Sequence, residues 1–186
     1  ALSAACRRLL ADSRVVELAK AAPGVALHLV GGAVRDAGLG RPVHDLDVVV
    51  AGSAAAIAGR FAAATGARLV ALGGERFGAL RLVVGNDHID LWDLQGEALL
   101  PDLWRRDFTV NATAVAVPDG AIVDPTGGVD DLARRLLRAT RAGISSPSAS
   151  ASASRVAVAL IAHSRSHAAA RPRRSQKASS ASGRSK

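Results

Sequence analysis

His44-Asp45-Leu46-Asp47-Val48-Val49-Val50 decides the fold, read with Leu29-Val30-Gly31-Gly32-Ala33-Val34-Arg35-Asp36 a short linker upstream. The Val/Leu run predicts a strand, and side chains at i and i+2 leave one face of a strand. Asp45 and Asp47 are therefore expected on one face, placed to share a cluster of divalent metal. Gly31-Gly32 predicts a strand-to-helix turn with bare main-chain amides, where phosphate oxygens bind readily. Carboxylates for metal beside a phosphate cradle point to nucleotide chemistry.

Outward from this pair, the periodicity predicts a mixed α/β (α+β) domain. Apolar residues at helical spacing (Leu9, Leu10, Val15, Val16, Leu18) predict a helix over 2–21, stopped by Pro23-Gly24. Val25–Val30 reads as a strand entering the glycine turn, and a short helix follows from Ala33 to the Gly38/Gly40 stop. Ser53 is placed to cap a helix over 54–64 that Gly66 closes. Strands are expected at 68–72, 77–84 and 88–94, with Gly85-Asn86-Asp87 as the turn between the last two. A helix over 98–111 is predicted, with Pro101 in its first turn. A hairpin of 113–117 and 121–123 and a last helix over 129–138 complete a small mixed sheet flanked by helices.

Composition narrows the class. A 186-residue chain buries one good core; a second small domain is possible but not required. With only 3% aromatic residues that core is aliphatic. Cys6 is the single cysteine, which excludes an internal disulfide framework and fits a reducing cytosol. No apolar run nears the roughly 18 residues of a membrane span, and the N-terminus lacks the basic-then-apolar pattern of a signal peptide. The absence of Met implies a removed initiator or a start that is not the natural one. The net charge of +8 is uneven: residues 1–139 are close to neutral, whereas 140–186 carry Arg and Lys and no acid. Basicity therefore says nothing of the folded part. Three segments are expected: an N-terminal helix over 1–24, a catalytic domain over 25–139, and a basic Ser/Ala/Arg tail over 140–186 without enough apolar content to order itself. Composition carries no signal for oligomeric state.

An Asp-x-Asp on a strand can also be a solvated edge, and the glycine pair upstream favours the catalytic reading. Two carboxylates holding divalent metal would activate a hydroxyl and neutralise a triphosphate. A third carboxylate is wanted from a neighbouring strand. Asp90 in Ile89-Asp90-Leu91 is the candidate, with a hairpin-end carboxylate as the alternative; Asp93 falls on the opposite face. His28 reads as a core or edge histidine, His44 as positional, and Trp92 and Trp104 as packing residues.

Four motifs in order carry a resemblance: Gly31-Gly32-Ala33-Val34-Arg35-Asp36; His44-Asp45-Leu46-Asp47; Asp102-Leu103-Trp104-Arg105-Arg106-Asp107-Phe108-Thr109-Val110-Asn111-Ala112; and Asp124-Pro125-Thr126-Gly127-Gly128 with Asp131-Leu132. Over about 25–139 the chain resembles the head domain of class II CCA-adding enzymes, the tRNA nucleotidyltransferases, shared with bacterial poly(A) polymerases within the polymerase β superfamily. The resemblance implies a polymerase β-like head that transfers CMP or AMP from CTP or ATP to the 3′-hydroxyl of RNA, the tRNA 3′ end, with Mg2+. It implies that Asp45 and Asp47 ligate Mg2+ and that Gly31 and Gly32 contact the triphosphate. Arg35 would lie near the incoming nucleotide, and Arg106, Asp107 and Asn111 would support nucleotide binding. The planar fork of Arg106 matches phosphate oxygens, and spacing of four on a helix puts Asp107 and Asn111 on one face. Asp107 also reads as a cap or salt-bridge partner, Arg105 as a solvated surface charge and Phe108 as core. Asp124, Gly127, Gly128 and Asp131 are expected to shape a turn and cap the last helix.

The chain departs from that family after Ala139. The neck that selects CTP or ATP, and the body and tail that hold tRNA, are expected to be missing. Instead Gly143-Ile144-Ser145-Ser146-Pro147-Ser148 opens a segment that resembles a GC-rich gene read out of frame; a disordered tail is the alternative. Translating the other two frames decides between them. Two other functions remain open on sequence: a poly(A) polymerase head, and a non-catalytic RNA-binding module acting through the basic tail.

Overall fold

The computed structural model describes residues 2–72, 79–94 and 98–140. The apolar period at the N-terminus forms two helices, α1 (Leu2–Leu10) and α2 (Ser13–Ala21). The single helix expected over 2–21 is interrupted at Asp12, whose carboxylate accepts the Arg14 amide at 2.9 Å and caps α2. A short side-chain acceptor of this kind lets the backbone leave one helix and start another.

β1 (Leu27–Val30) enters the glycine turn, and α3 (Gly32–Gly38) leaves it. β2 (Asp45–Val50) carries the two aspartates. Ser53 caps α4 (Ala54–Thr65) through the Ala56 amide, and Gly66 closes it at φ 74°, as the sequence predicts. β3 (Arg68–Leu72), β4 (Ala79–Val84) and β5 (Asp87–Asp93) follow. The helix expected over 98–111 is only α5 (Leu99–Trp104), then a loop and a single 3-10 turn at Thr109–Asn111. Asp107 is the reason: its side chain accepts the Phe108 amide at 2.8 Å, a local bond that competes with the helical ladder. β6 (Ala114–Val117), β7 (Ile122–Val123) and α6 (Gly128–Arg134) complete the described chain. α6 stops four residues short of the predicted end, where Arg135 turns into the left-handed region at φ 55°.

The strands form one mixed sheet in the order β3-β4-β5-β2-β1-β6-β7. β2 and β5 run parallel and the other neighbours antiparallel. One face, with Leu27, Leu29, Leu46, Val48, Ile89 and Leu91, packs on α1–α4 through Leu9, Val15, Leu18, Val34, Ile57 and Phe61. These side chains are aliphatic apart from Phe61, so hydrophobic burial rests on Leu, Val and Ile area. The other face carries a smaller cluster of Val30, Val49, Leu103, Ala112 and Ala114. Beyond that cluster the same face turns polar, and the site lies there. Among the described residues no helix is long and apolar enough to cross a membrane. The tail expected to be disordered or frame-shifted, with its RNA-binding role, lies outside the described residues from 141 onward.

Candidate functional site

Strand alternation does what the sequence predicts at β2. Leu46, Val48 and Val50 are buried against the helices, which turns Asp45 and Asp47 to the opposite face. Asp45 is open to solvent, with 73% of its side chain exposed, and its Oδ1 lies 3.1 Å from His88 Nδ1. Asp47 is half-buried. Burial raises its pKa, while Arg106 and a hydrogen bond from the Gly32 main chain pull it down and Asp90 and Asp45 push it up. The net direction is upward, so the folded protein leaves this charge under-compensated and a cation beside it is favoured.

Gly31 makes the close approach possible. At φ 68° and ψ −137° it occupies a conformation that L side chains rarely adopt. A Cβ there would stand 2.7 Å from Asp47 Oδ2 and 3.1 Å from Arg106 Nη1. The main chain thus lies directly against Asp47.

The parallel β2–β5 register sets Asp90 opposite Asp47, so the third carboxylate reaches the expected face. Both its oxygens are already engaged, however: Arg81 Nε and Nη2 donate to Oδ1 and Oδ2 at 2.7 Å each. Asp93, on the other face, accepts the Ala54 amide at 2.5 Å and helps start α4.

A second polar chain joins α3 to the 3-10 turn. Arg35 donates through Nε and Nη2 to Asp36 and through Nη1 to Asn111 Oδ1 at 2.8 Å. Asn111 Nδ2 donates to Asp107 Oδ1 at 3.1 Å. Asp107 and Asn111 therefore meet as expected, across a loop instead of along a helix. Arg106 is mostly buried; it donates to Asp102 Oδ2 and lies 5.8 Å above the Trp92 ring. Its loop is clamped from behind. Thr140 donates from its amide to Asp107 O at 2.9 Å and from its hydroxyl to Arg106 O, and Phe108 bridges to Ala139. Asp131 accepts from Thr109 Oγ1 at 2.6 Å and from Arg138, while Asp124 caps α6 through the Gly128 and Val129 amides, matching the structural role predicted for both.

Three sets of pairings were not picked out in the sequence. Arg14, nearly buried, binds Asp12, Asp87 and the carbonyls of Val43 and His44, fixing the entry to β2. His44 and His88 pair with Asp87 and Asp45 across the start of β2 and β5. Arg81 is the third, and its signal was a lone charge between Leu80 and Leu82 in an apolar strand. Trp104, expected to pack, is 42% exposed, and Leu136, on the segment after α6, is exposed as well.

Gly32, Arg35, Asp36, Asp45, Asp47, Arg81 and Asp90 line one cleft of about 410 Å3. Among the described residues no three His, Cys, Asp or Glu side chains converge as a metal cluster. Asp45 and Asp47 alone suit a hard cation of the Mg2+ type, which takes one or two carboxylates and completes its shell with water and phosphate oxygens.

The chain that carries these paired aspartates beside a glycine turn matches a family model. The model of the poly(A) polymerase head domain covers residues 27–98 and 92–138, and the chain belongs to that family. A CC-adding tRNA nucleotidyltransferase of Geobacter sulfurreducens is 41% identical over 122 residues, 64% of this chain and 28% of the relative. A solved tRNA-processing enzyme with CTP superposes with a TM-score of 0.63 at 29% identity, covering 77% of this chain and 46% of that one. A tRNA nucleotidyltransferase solved with a primer tRNA and an incoming ATP analogue gives a TM-score of 0.58 at 34% identity, covering 66% and 37%. The chain spans less than a third of the length of the curated relatives it matches.

Proposed function

We propose that this chain is the catalytic head of a tRNA nucleotidyltransferase, which transfers CMP or AMP from CTP or ATP to the 3′-hydroxyl of tRNA. The observation that carries this reading is the approach of Gly31 to Asp47, which sets bare main chain against one of two aspartates that share a face of β2. The relatives named above are supporting context, since CTP and an ATP analogue occupy solved structures of this fold.

Asp45 and Asp47 would hold Mg2+ through their carboxylate oxygens. When bound, the ion supplies Lewis-acid polarisation of the attacking hydroxyl and the phosphates. Each side chain of the chain then has a task. The Gly31-Gly32 turn admits the triphosphate close to the backbone, where a Cβ would block it. Arg35, oriented by Asp36 and Asn111, presents a planar cation to the nucleotide's phosphates. Arg106, held by Asp102 over Trp92, offsets charge beside Asp47. Positioning and electrostatic stabilisation are most of what phosphoryl transfer asks of a protein.

The test is incorporation of labelled CTP and ATP into a tRNA lacking its terminal CCA, with the full chain. Mg2+-dependent incorporation that disappears in Asp45→Ala and Asp47→Ala is expected. Incorporation that survives in both variants would sink the assignment.

A further inference from the structure

We propose that the cavity between α1 and the turn after α3 is a second binding site, which takes a small phosphomonoester with a compact apolar body and weakens nucleotide binding in the cleft. The site itself lies beyond the nucleotidyl-transfer reading; its effect on the nucleotide rests on that reading.

The cavity holds about 280 Å3, and Val43 is the one lining residue that it shares with the cleft. Ala5, Arg8 and Leu9 of α1 and the α2 cap Asp12 form one wall. That wall precedes residue 27, where the match to the head-domain model begins. Ala5, Leu9 and Ala37 are buried and Val43 is half-buried, so the floor is apolar. Arg8 and Arg41, both exposed, complete the lining with Gly40.

Charge decides the ligand. Asp12 is the one carboxylate that lines the cavity among the described residues, and Arg14 grips both its oxygens, Nε at 3.0 Å and Nη2 at 2.7 Å. Its charge is therefore balanced within the fold. Helix carbonyls at this end are engaged as well: the Ala11 amide donates to Arg7 O at 3.1 Å and the Gly40 amide to Ala37 O at 3.0 Å. What the cavity offers a ligand is two guanidinium groups over an apolar floor. Planar guanidinium forks match phosphate oxygens, and the floor favours a ligand with apolar surface of its own.

The same geometry ties the cavity to the cleft. Arg41 Nη1 lies 3.6 Å from Asp36 Oδ1. Asp36 lines the cleft and accepts Arg35 Nε at 3.0 Å and Nη2 at 2.9 Å. One carboxylate thus faces a guanidinium on each side. A phosphate beside Arg41 draws on the charge that Asp36 shares, which leaves Asp36 to hold Arg35 more strongly. Arg35 then presents less positive charge to a nucleotide. The coupling is negative, and by linkage the nucleotide weakens the phosphomonoester to the same extent.

The experiment uses the full chain, with phenyl phosphate and inorganic phosphate as probes and the methyl NMR signals of Ala5, Leu9, Ala37 and Val43 as the readout. Saturable shifts are expected, with phenyl phosphate about tenfold tighter than inorganic phosphate because its ring covers the floor. Arg8→Glu changes an exposed side chain outside the cleft; it should keep the melting temperature and weaken phenyl phosphate by about tenfold or more. Arg8→Gln should fall between the two. Saturating phenyl phosphate should raise the Kd for CTP about fivefold in the wild type, and this effect should vanish in Arg8→Glu. Unmoved methyl signals, or signals moved by tRNA and by neither probe, overturn the site. An effect on CTP that survives in Arg8→Glu means direct competition in the cleft and overturns the coupling. A wild-type chain that binds no CTP counts against the nucleotidyl-transfer reading, while the methyl shifts still judge the cavity.

Discussion

Gly31 and Asp47 touch: the space a Gly31 side chain would fill is 2.7 Å from an Asp47 carboxylate oxygen. Gly31→Ala must therefore both strain the turn at φ 68° and push Asp47 off its position. Backbone strain of this kind costs on the order of 1–3 kcal/mol. We expect a lowered melting temperature and at least a hundredfold loss of nucleotide incorporation. Wild-type turnover in the purified variant would show that the close approach is dispensable.

Asp47 makes stability depend on pH in an unusual direction. Its carboxyl is raised above 3.8, chiefly by burial, so the folded state holds the proton more tightly than the unfolded chain does. The stabilisation this group gives is present below the unfolded value and is lost as pH rises through the folded one. Asp47→Asn should accordingly melt a few degrees higher than wild type at neutral pH, the gap closing towards pH 4. Mg2+ should raise the melting temperature of wild type and leave the variant unmoved. Thermal scans across pH, with and without Mg2+, check both statements.

Arg14 is a buried cation whose acceptors are Asp12, Asp87 and the carbonyls of Val43 and His44. Arg14→Ala leaves the Val43 and His44 carbonyls and two aspartates short of a donor, at a cost of about 2–3 kcal/mol. Denaturant midpoints measure it. An unchanged midpoint would mean that water replaces the guanidinium at no cost.

Asn111 relays between Arg35 and Asp107 and is partly exposed. Asn111→Ala is expected to leave the melting temperature nearly unchanged while lowering kcat/KM for the nucleotide by about tenfold. An effect on stability without one on KM would assign Asn111 to the fold alone.

Gly128 packs so tightly on the 3-10 turn that a Cβ would fall 2.0 Å from the Thr109 carbonyl oxygen. Gly128→Ala has to move backbone, and we expect a loss of about 3 kcal/mol or more. A thermal scan that shows less than a degree of change would contradict that packing.

Much of this was legible because the signals are local. A period-two run with aspartates at 45 and 47 can only place them on one face once Leu46 and Val48 are buried, and Ser53 and Gly66 bracket α4 by their own chemistry. Where the reading slipped, a side chain bonded to nearby backbone: Asp12 split the first helix and Asp107 ended the fifth early. Such competition depends on an individual rotamer and leaves no periodic trace. The partner of Asp90 was hidden for another reason. Arg81 lies nine residues away on the next strand, so the pairing follows from register, and register depends on the turn at Gly85 as well as on the apolar pattern.

Thr140 closes over the main chain of Arg106 and Asp107, one residue beyond Ala139, where the composition changes. The compositional seam and the mechanical one thus do not coincide. An expression boundary cut at 139 would remove the clasp on the arginine loop, whereas one cut at 141 would keep it, and that single residue decides whether an excised head holds Arg106 over Trp92.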